Sequence, residues 1–141
     1  MRCVRVVLDT NILIGALITR DTPPDALYCA WLRGAFEVVT SRAQLAELAT
    51  VLARPRLQRY IDPDEAAVIV EHLETRATVL RYVPPVTLST DPADNEILAA
   101  AFAGGADLIV SGDRRHVLSL GKAEGIPIVT AREAVERFEE P

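Results

Sequence analysis

Four acidic side chains lie at positions where parallel α/β proteins build their active sites: Asp9, Glu47, Asp94 and Asp113. Carboxylates that converge without a cation repel one another and raise one another's pKa values. A divalent metal ion relieves this repulsion, and a ligand set made only of oxygen atoms favours Mg²⁺ or Mn²⁺ over Zn²⁺. If the fold brings these side chains together, we expect a magnesium or manganese site.

Each of these acids also has an ordinary structural interpretation, which stays open at the level of the sequence. Asp9 directly follows the mostly apolar residues 4–8 and is suited to cap the next helix. Asp94 lies in the first turn of a predicted helix, where acids stabilise the N-terminus. Glu47 suits a half-exposed helix face, and Asp113 suits a turn. The prediction of a metal site therefore depends on their joint placement rather than on any single residue.

The elements that must position these acids alternate between strands and helices along the chain. Short apolar runs predict buried strands at residues 4–8, 36–40, 108–110 and 126–129. Capping residues, prolines and glycines predict helices over about 11–18, 22–34, 41–53, 62–77, 91–104 and from 130 onward. Residues 78–89 fit either a strand at 79–83 or a loop around Pro84-Pro85. Ser41 and Gln44 have the spacing of a capping box.

This alternation favours a parallel sheet covered by helices on both faces. We therefore predict an α/β fold with three layers, α/β/α, around a central and mostly parallel sheet. The 141 residues fit one folding unit, so we predict a single domain over residues 1–141. In open parallel sheets, ligands bind beyond the carboxyl ends of the strands. Asp9 and Asp113 each follow a predicted strand and so fall at that edge.

Composition excludes several classes of protein. Half of the residues are hydrophobic, which excludes a disordered chain. The longest apolar stretch, residues 12–18, is too short to span a bilayer, so we expect no membrane partner. Cys3 and Cys29 lack the spacing of a disulfide scaffold or a zinc site, which predicts a reduced, cytoplasmic protein. Neither His72 nor His116 lies in a metal-ligand pattern, and we expect His72 on a helix surface.

The net charge of −5 is unevenly distributed along the chain. Residues 1–60 have a balance of +3, and residues 61–141 have a balance of −8. Arg54, Arg56 and Arg59 follow the predicted helix at 41–53 and are candidates for contact with phosphate groups. A solvated helix end is the ordinary interpretation of the same cluster. The charge pattern therefore permits a nucleic-acid partner without requiring one.

Four short motifs, in this order along the chain, resemble those of the PIN-domain nucleases. They are Val7-Leu8-Asp9-Thr10-Asn11, Ser41 with Glu47 and Val51-Leu52-Ala53-Arg54-Pro55-Arg56-Leu57, Asp91-Pro92-Ala93-Asp94-Asn95, and Val110-Ser111-Gly112-Asp113. The likeness covers nearly the whole chain, from about residue 4 to residue 138. They are most similar to the VapC-type toxins of type II toxin–antitoxin systems. Each motif is short, but four in register make a strong signal.

The resemblance implies that Asp9, Glu47, Asp94 and Asp113 bind the metal ion and are the catalytic residues. It assigns supporting roles to Thr10, Asn11, Asp91 and Ser111, with Asp91 mainly capping its helix. The implied reaction is hydrolysis of RNA by water that Mg²⁺ or Mn²⁺ activates. We further expect the RNA backbone to be held by Arg54, Arg56, Arg59 and Arg114. The implied partners are a cognate antitoxin and a second copy of the chain. Arg115 stands where many relatives carry an acid or Asn, so the number of metal ions stays open.

Two other function classes remain as alternatives. A phosphotransfer enzyme or receiver domain also gathers acids at the ends of parallel strands. Haloacid-dehalogenase phosphatases, however, place a second Asp two residues after the first, where this chain has Asn11. A receiver needs a Lys at the end of its last strand, whereas Lys122 precedes the strand predicted at 126–129. The other alternative is a PIN-like module that binds RNA or protein without cutting RNA.

Overall fold

The computed structural model describes residues 3–112, 122, 123 and 125–139. Its strands are β1 (Arg5–Leu8), β2 (Glu37–Ser41), β3 (Thr78–Leu80), β4 (Leu108–Val110), β5 (Lys122–Ala123) and β6 (Ile126–Val129). Its helices are α1 (Thr10–Ile18), α2 (Pro23–Leu32), α3 (Arg42–Leu52), α4 (Pro55–Gln58), α5 (Pro63–Arg76), α6 (Pro92–Ala103) and α7 (Ala131–Phe138). Every predicted strand and helix is present, with ends that differ by at most two residues.

The strands form one sheet in the order β3-β2-β1-β4-β6-β5. All neighbours are parallel except β5, which pairs antiparallel with β6 at the edge. The predicted α/β fold with a mostly parallel sheet is therefore confirmed. Because β1 lies in the middle of the sheet, its carboxyl end is flanked by the carboxyl ends of β2 and β4. That edge is where the predicted site should form.

Strand β1 shows why the fold has three layers. Its apolar residues are almost fully buried, as expected for a central parallel strand covered on both faces. Consecutive side chains point to opposite faces of the sheet. Val6 and Leu8 accordingly pack into a core with Leu27 and Trp31 of α2, whereas Val7 packs into a second core that contains several residues of α6. The two cores hold helix layers against both faces.

Local capping explains several element ends. Asp91 accepts a hydrogen bond from the Ala93 N–H at the start of α6, and Thr130 and Glu133 form a reciprocal capping box at the start of α7. The predicted capping box at the start of α3 is only half formed. Ser41 accepts a hydrogen bond from the Gln44 N–H, but the Gln44 side chain bonds elsewhere, as described below.

The sequence patterns did not predict two short elements, α4 and β5, and left the structure of residues 78–89 undecided. The four residues of α4 and the two residues of β5 are too short to show a period. Residues 78–89 divide into β3 and a following stretch, residues 81–91, without regular structure. No helix in the described part of the chain combines the length and apolarity that a membrane crossing requires.

Gly104 permits close contact between the end of α6 and the sheet. A Cβ atom placed on Gly104 would lie 2.3 Å from Val39 Cγ1 of β2 and 2.9 Å from the Ala100 carbonyl oxygen. We therefore expect Gly104→Ala to lower the free energy of unfolding by about 1–3 kcal/mol, the usual cost of overpacking. Urea denaturation of both proteins would measure it.

Gly112→Ala is the matched control, because among the described residues its added Cβ would meet only Ile12 Cδ1, at an ordinary 3.9 Å. Equal unfolding free energies for Gly104→Ala and Gly112→Ala would contradict the close packing of α6 against β2.

Candidate metal and active site

Asp9 lies between the end of β1 and the start of α1, and its carboxylate is held from both sides. Oδ1 accepts a hydrogen bond from the Asn11 N–H at 3.2 Å, and Oδ2 accepts one from the Ser111 hydroxyl at 2.8 Å. The Asp9 N–H donates to the Val110 carbonyl of β4. Asp9 therefore caps α1 and is also fixed at the sheet edge, so both interpretations of this residue apply together.

Ser111 connects three strands at this edge. Its side chain is fully buried, at 0% exposure. Its N–H donates to the Val129 carbonyl of β6, while its hydroxyl donates to Asp9 after β1. The hydroxyl hydrogen bond fixes the direction of the Asp9 carboxylate, and this placement agrees with the supporting role predicted for Ser111.

Glu47 reaches the same region from α3. Its Oε2 accepts a hydrogen bond from the Thr10 hydroxyl at 3.1 Å, and Thr10 is the first residue of α1. Glu47 is half-buried, as its predicted position at the edge of the buried face requires. The bond therefore holds Glu47 against Thr10, which is the residue directly after Asp9.

The surroundings of Glu47 raise its pKa. Burial raises the pKa of Glu47 above its ordinary value of 4.5, and the hydrogen bond from Thr10 partly opposes this rise. The carboxylates of Glu96, Asp9 and Asp91 raise its pKa further by repulsion. This is the electrostatic pattern expected of acids that gather around a cation site.

Asp94 and Asp91 lie at the start of α6 and have different roles. Asp91 is the N-cap, as predicted, and Asp94 is buried, at 5% exposure. Asp94 Oδ2 accepts a hydrogen bond from the Ser89 hydroxyl at 3.2 Å. The same hydroxyl oxygen accepts the Asp91 N–H, so Ser89 links both acids.

The remaining predicted residues lie away from these contacts or outside the described structure. Asp113 and Arg114 fall outside the described residues. Arg54, Arg56 and Arg59 lie exposed on and around α4, the element that follows the helix of Glu47. Among the residues that the structure describes, no three carboxylate, imidazole or thiol groups form a metal site by themselves. The predicted quartet therefore still depends on Asp113.

The donors present nevertheless suit a hard divalent cation. Every predicted ligand is a carboxylate, and the neighbouring groups from Thr10 and Ser111 are hydroxyls. Oxygen donors of this kind fit Mg²⁺ or Mn²⁺ better than softer metals. Asp9, Glu47 and Asp94 are the members of the predicted ligand set that the structure describes.

Three contributing residues escaped the sequence analysis. Gln44 is buried, and its Nε2 donates to the Leu8 carbonyl at 2.6 Å while its Oε1 accepts the Thr40 hydroxyl at 3.0 Å. Ser89 binds the two acids of α6, and Glu96 adds to the charge near Glu47. Only Ser89 had a local signal, because a Ser just before Asp91 suits a turn that leads into a helix.

The expectation for His72 is wrong. His72 of α5 is half-buried, and its Nδ1 is hydrogen-bonded to the hydroxyl of Tyr28 on α2. The two ring centroids lie 5.9 Å apart. Burial raises the pKa of the Tyr28 hydroxyl above its ordinary value. This pair joins α2 to α5 and is not part of the acidic site.

The raised pKa of Glu47 gives a testable dependence of stability on pH. The folded chain binds a proton at Glu47 more tightly than the unfolded chain, so ionisation of Glu47 destabilises the metal-free fold. This cost is absent below about pH 4.5 and develops as the pH rises through the raised pKa. Glu47→Gln cannot ionise, and we expect its advantage over the wild type in unfolding free energy to grow from pH 4 to pH 7.

Urea denaturation in EDTA at several pH values would measure this difference. Glu74→Gln, at an exposed position of α5, controls for the loss of one charge. A difference for Glu47→Gln that does not change with pH would contradict the repulsion described above.

Comparisons with known proteins agree with this arrangement. A family model described as the PIN domain matches residues 5–115. The chain is also 25% identical, over 146 residues, to the uncharacterized protein MJ1680 of Methanocaldococcus jannaschii, an alignment that covers 96% of this chain and 92% of that protein. The chain therefore belongs to the PIN-domain family, whose members are generally nucleases that use divalent metal ions.

Proposed function

We propose that this PIN-domain chain is an endoribonuclease that depends on Mg²⁺ or Mn²⁺, and that it is the toxin of a type II toxin–antitoxin pair in the cytoplasm. The observation that supports the proposed ribonuclease activity is the group of acidic residues at the carboxyl edge of the sheet. There, Asp9 and Glu47 are each oriented by a hydroxyl group, and repulsion from Asp9 contributes to the raised pKa of Glu47. Family membership argues against the receiver or phosphotransfer alternative.

In this proposal Asp9, Glu47, Asp94 and Asp113 hold the metal ion. When bound, a divalent ion supplies an activated water and stabilises the charge that develops on the phosphate oxygens. Ser111 and Thr10 keep the carboxylates of Asp9 and Glu47 in fixed directions, which lowers the reorganisation needed on binding. Glu47 also has an oxygen available to orient the attacking water.

The arginines near α4 would hold the RNA backbone. Arg54, Arg56 and Arg59 are exposed, and no ion pair of theirs occurs within the described part of the chain. Guanidinium groups bind phosphate oxygens in a bidentate manner. Arg114 is assigned the same role from its sequence position.

A groove between α1, α2 and α5 supports the proposal of a protein partner. The groove has a volume of about 690 Å³ and lies apart from the acidic residues at the sheet edge. Ile18, Tyr60 and Val68 line it, and these are three of the six large hydrophobic side chains exposed among the described residues. Clustered exposed apolar side chains of this kind mark interaction surfaces.

The charge of this groove indicates what kind of partner segment would fit. Four acids line it together with one arginine: Asp25, Asp62, Asp64, Glu65 and Arg20. Arg20 is already paired with Glu65 at 3.3 Å. A segment with apolar side chains and Lys or Arg residues would complement the groove. We propose that the cognate antitoxin supplies it.

Two further elements of the proposal come from the family resemblance and the cysteines. We propose that the chain forms a homodimer, which sedimentation velocity of the purified protein would test. Cys3 and Cys29 are free and exposed, which supports a reducing compartment. The competing function is a module that binds RNA or protein without cleavage, and the groove is the feature that favours it.

We expect Asp9→Asn and Asp113→Asn to lower Mg²⁺-dependent cleavage of single-stranded RNA by at least about 100-fold, because each removes a ligand charge. Ser111→Ala should cost roughly 10–100-fold, as expected for a group that orients a ligand. Initial rates on a labelled RNA would measure these effects.

Circular dichroism and thermal denaturation would show whether these variants keep the fold, and Glu74→Gln is the matched control. Wild-type rates in Asp9→Asn would refute the assignment. Absence of metal-dependent cleavage in the wild type would favour the non-cleaving alternative.

The groove gives a separate prediction about the partner. The expected partner is the protein encoded by the neighbouring open reading frame, where antitoxins are often found. We expect Tyr60→Asp to weaken its binding by at least about 30-fold, because an introduced charge would face the groove acids in place of a large apolar contact. Titration calorimetry in an Asp9→Asn background would measure this without toxicity.

Tyr82→Asp is the matched control, since Tyr82 is exposed and does not line the groove. Equal loss of binding in both variants, or none in Tyr60→Asp, would remove the groove from the proposal.

A further inference from the structure

A second cavity lies directly beside the acidic site. It has a volume of about 290 Å³ and is bounded by α3, α6 and the irregular segment at residues 81–91. This volume is near the lower end of the roughly 300–1,000 Å³ range of small-molecule sites. The cavity therefore has room for one flat ring system rather than for a long ligand.

The helix positions place this cavity next to Glu47. Ala43 lines it from α3, one turn before Glu47 and on the same helix face. Pro92, Glu96 and Ala99 line it from one face of α6. The cavity is therefore about one helical turn, or ~5 Å, from a proposed metal ligand. This is close to the distance between a phosphate group and the base of the same nucleotide.

The wall opposite the helices is fixed before any ligand binds. Ser89 and Asn95 form two hydrogen bonds of 2.8 Å, from the Ser89 N–H to Asn95 Oδ1 and from Asn95 Nδ2 to the Ser89 carbonyl. They attach the segment to the first turn of α6. Val86 of the same segment packs against the core on that face of the sheet. A preformed cavity loses less entropy on binding.

The lining determines which ligand fits. Val83, Pro85, Val86 and Pro92 provide apolar surface for the faces of a flat ring. The Asn95 amide is engaged with Ser89. The carboxylate of Glu96 is then the remaining polar group of the lining, and among the described residues it has no hydrogen bond or ion pair. An apolar slot with one carboxylate selects a flat ligand that carries N–H donors.

Guanine matches this lining better than uracil does. Its Watson–Crick edge presents two adjacent N–H donors, N1–H and N2–H, which a carboxylate can accept in a bidentate manner. Uracil presents one N–H between two carbonyl oxygens, which a carboxylate repels. Proteins read unpaired RNA bases by stacking them on side chains and bonding to this edge.

We propose that this cavity binds a guanine base of the RNA next to the acidic site, and that Glu96 is the residue that selects guanine. The inference rests on the proposed ribonuclease function for its choice of RNA as the ligand. It adds a base preference that the metal site alone would not provide, since a bound ion would contact only phosphate oxygens and water.

Binding of mononucleotides tests the inference without any cleavage. Guanosine, inosine and uridine 5′-monophosphates would be titrated against the wild type in Mg²⁺ by calorimetry. We expect guanosine monophosphate to bind roughly tenfold more tightly than uridine monophosphate, within the range measured for one bidentate base contact. Inosine, which lacks the N2 amino group, should fall between them.

Two variants assign this preference to the cavity. Glu96→Gln should reduce the preference for guanosine over uridine to less than about threefold, because it removes the bidentate charged acceptor. Ala43→Leu should weaken guanosine monophosphate binding by filling the cavity. Ala49→Leu, on an exposed face of the same helix, should leave both affinities unchanged.

The inference is overturned if wild-type protein binds guanosine and uridine monophosphates equally or binds neither, or if Glu96→Gln keeps the full preference. Because a mononucleotide has no phosphodiester bond to cut, this outcome is separate from that of the cleavage assay. A chain that prefers guanosine but cleaves no RNA would refute the ribonuclease proposal and retain the base site.

Discussion

The site depends on the hydrogen bond between the Ser111 hydroxyl and Asp9, together with the backbone bond from the Asp9 N–H to Val110. These two bonds join residues 102 and 101 positions apart in the chain at the carboxyl edge of the sheet. They form because β1 and β4 are parallel neighbours, so the residues after each strand meet at one edge. The direction of the Asp9 carboxylate, and with it the geometry of any ion that Asp9 holds, follows from this pairing.

Repulsion among the acids opposes the stability of the fold. The carboxylates of Glu96, Asp9 and Asp91 disfavour the ionised form of Glu47, and burial adds to the effect. A protein selected only for stability would place an amide or an apolar group there. A bound cation would compensate this repulsion, in agreement with the metal use that is general in the PIN-domain family.

The sequence predicts those parts of the structure that local patterns determine. Asp9 could be placed because an apolar β-branched run ends just before it, and Asp91 because Asp-Pro is a strong helix start. The hydrogen-bond partners of Gln44 and Ser89 could not be predicted. Those of Gln44 depend on how β1 lies beside α3, and those of Ser89 depend on the path of residues 81–91. His72 was misplaced for the same reason. Its contact with Tyr28 is set by the packing of α5 against α2, which helix periodicity does not reveal.

The buried amide of Gln44 affects the register of β2 against β1. Its side chain spans from Thr40 at the end of β2 to the Leu8 carbonyl at the end of β1. A slip of β2 by one residue past β1 would deprive the Gln44 Nε2 group of its acceptor, the Leu8 carbonyl, at a cost of about 1–3 kcal/mol. The same helix carries Glu47 one turn later. The hydrogen bond that disfavours a wrong register of β2 against β1 therefore lies close to the acids. Once the correct register forms, it also sets the spacing between Asp9 and Glu47.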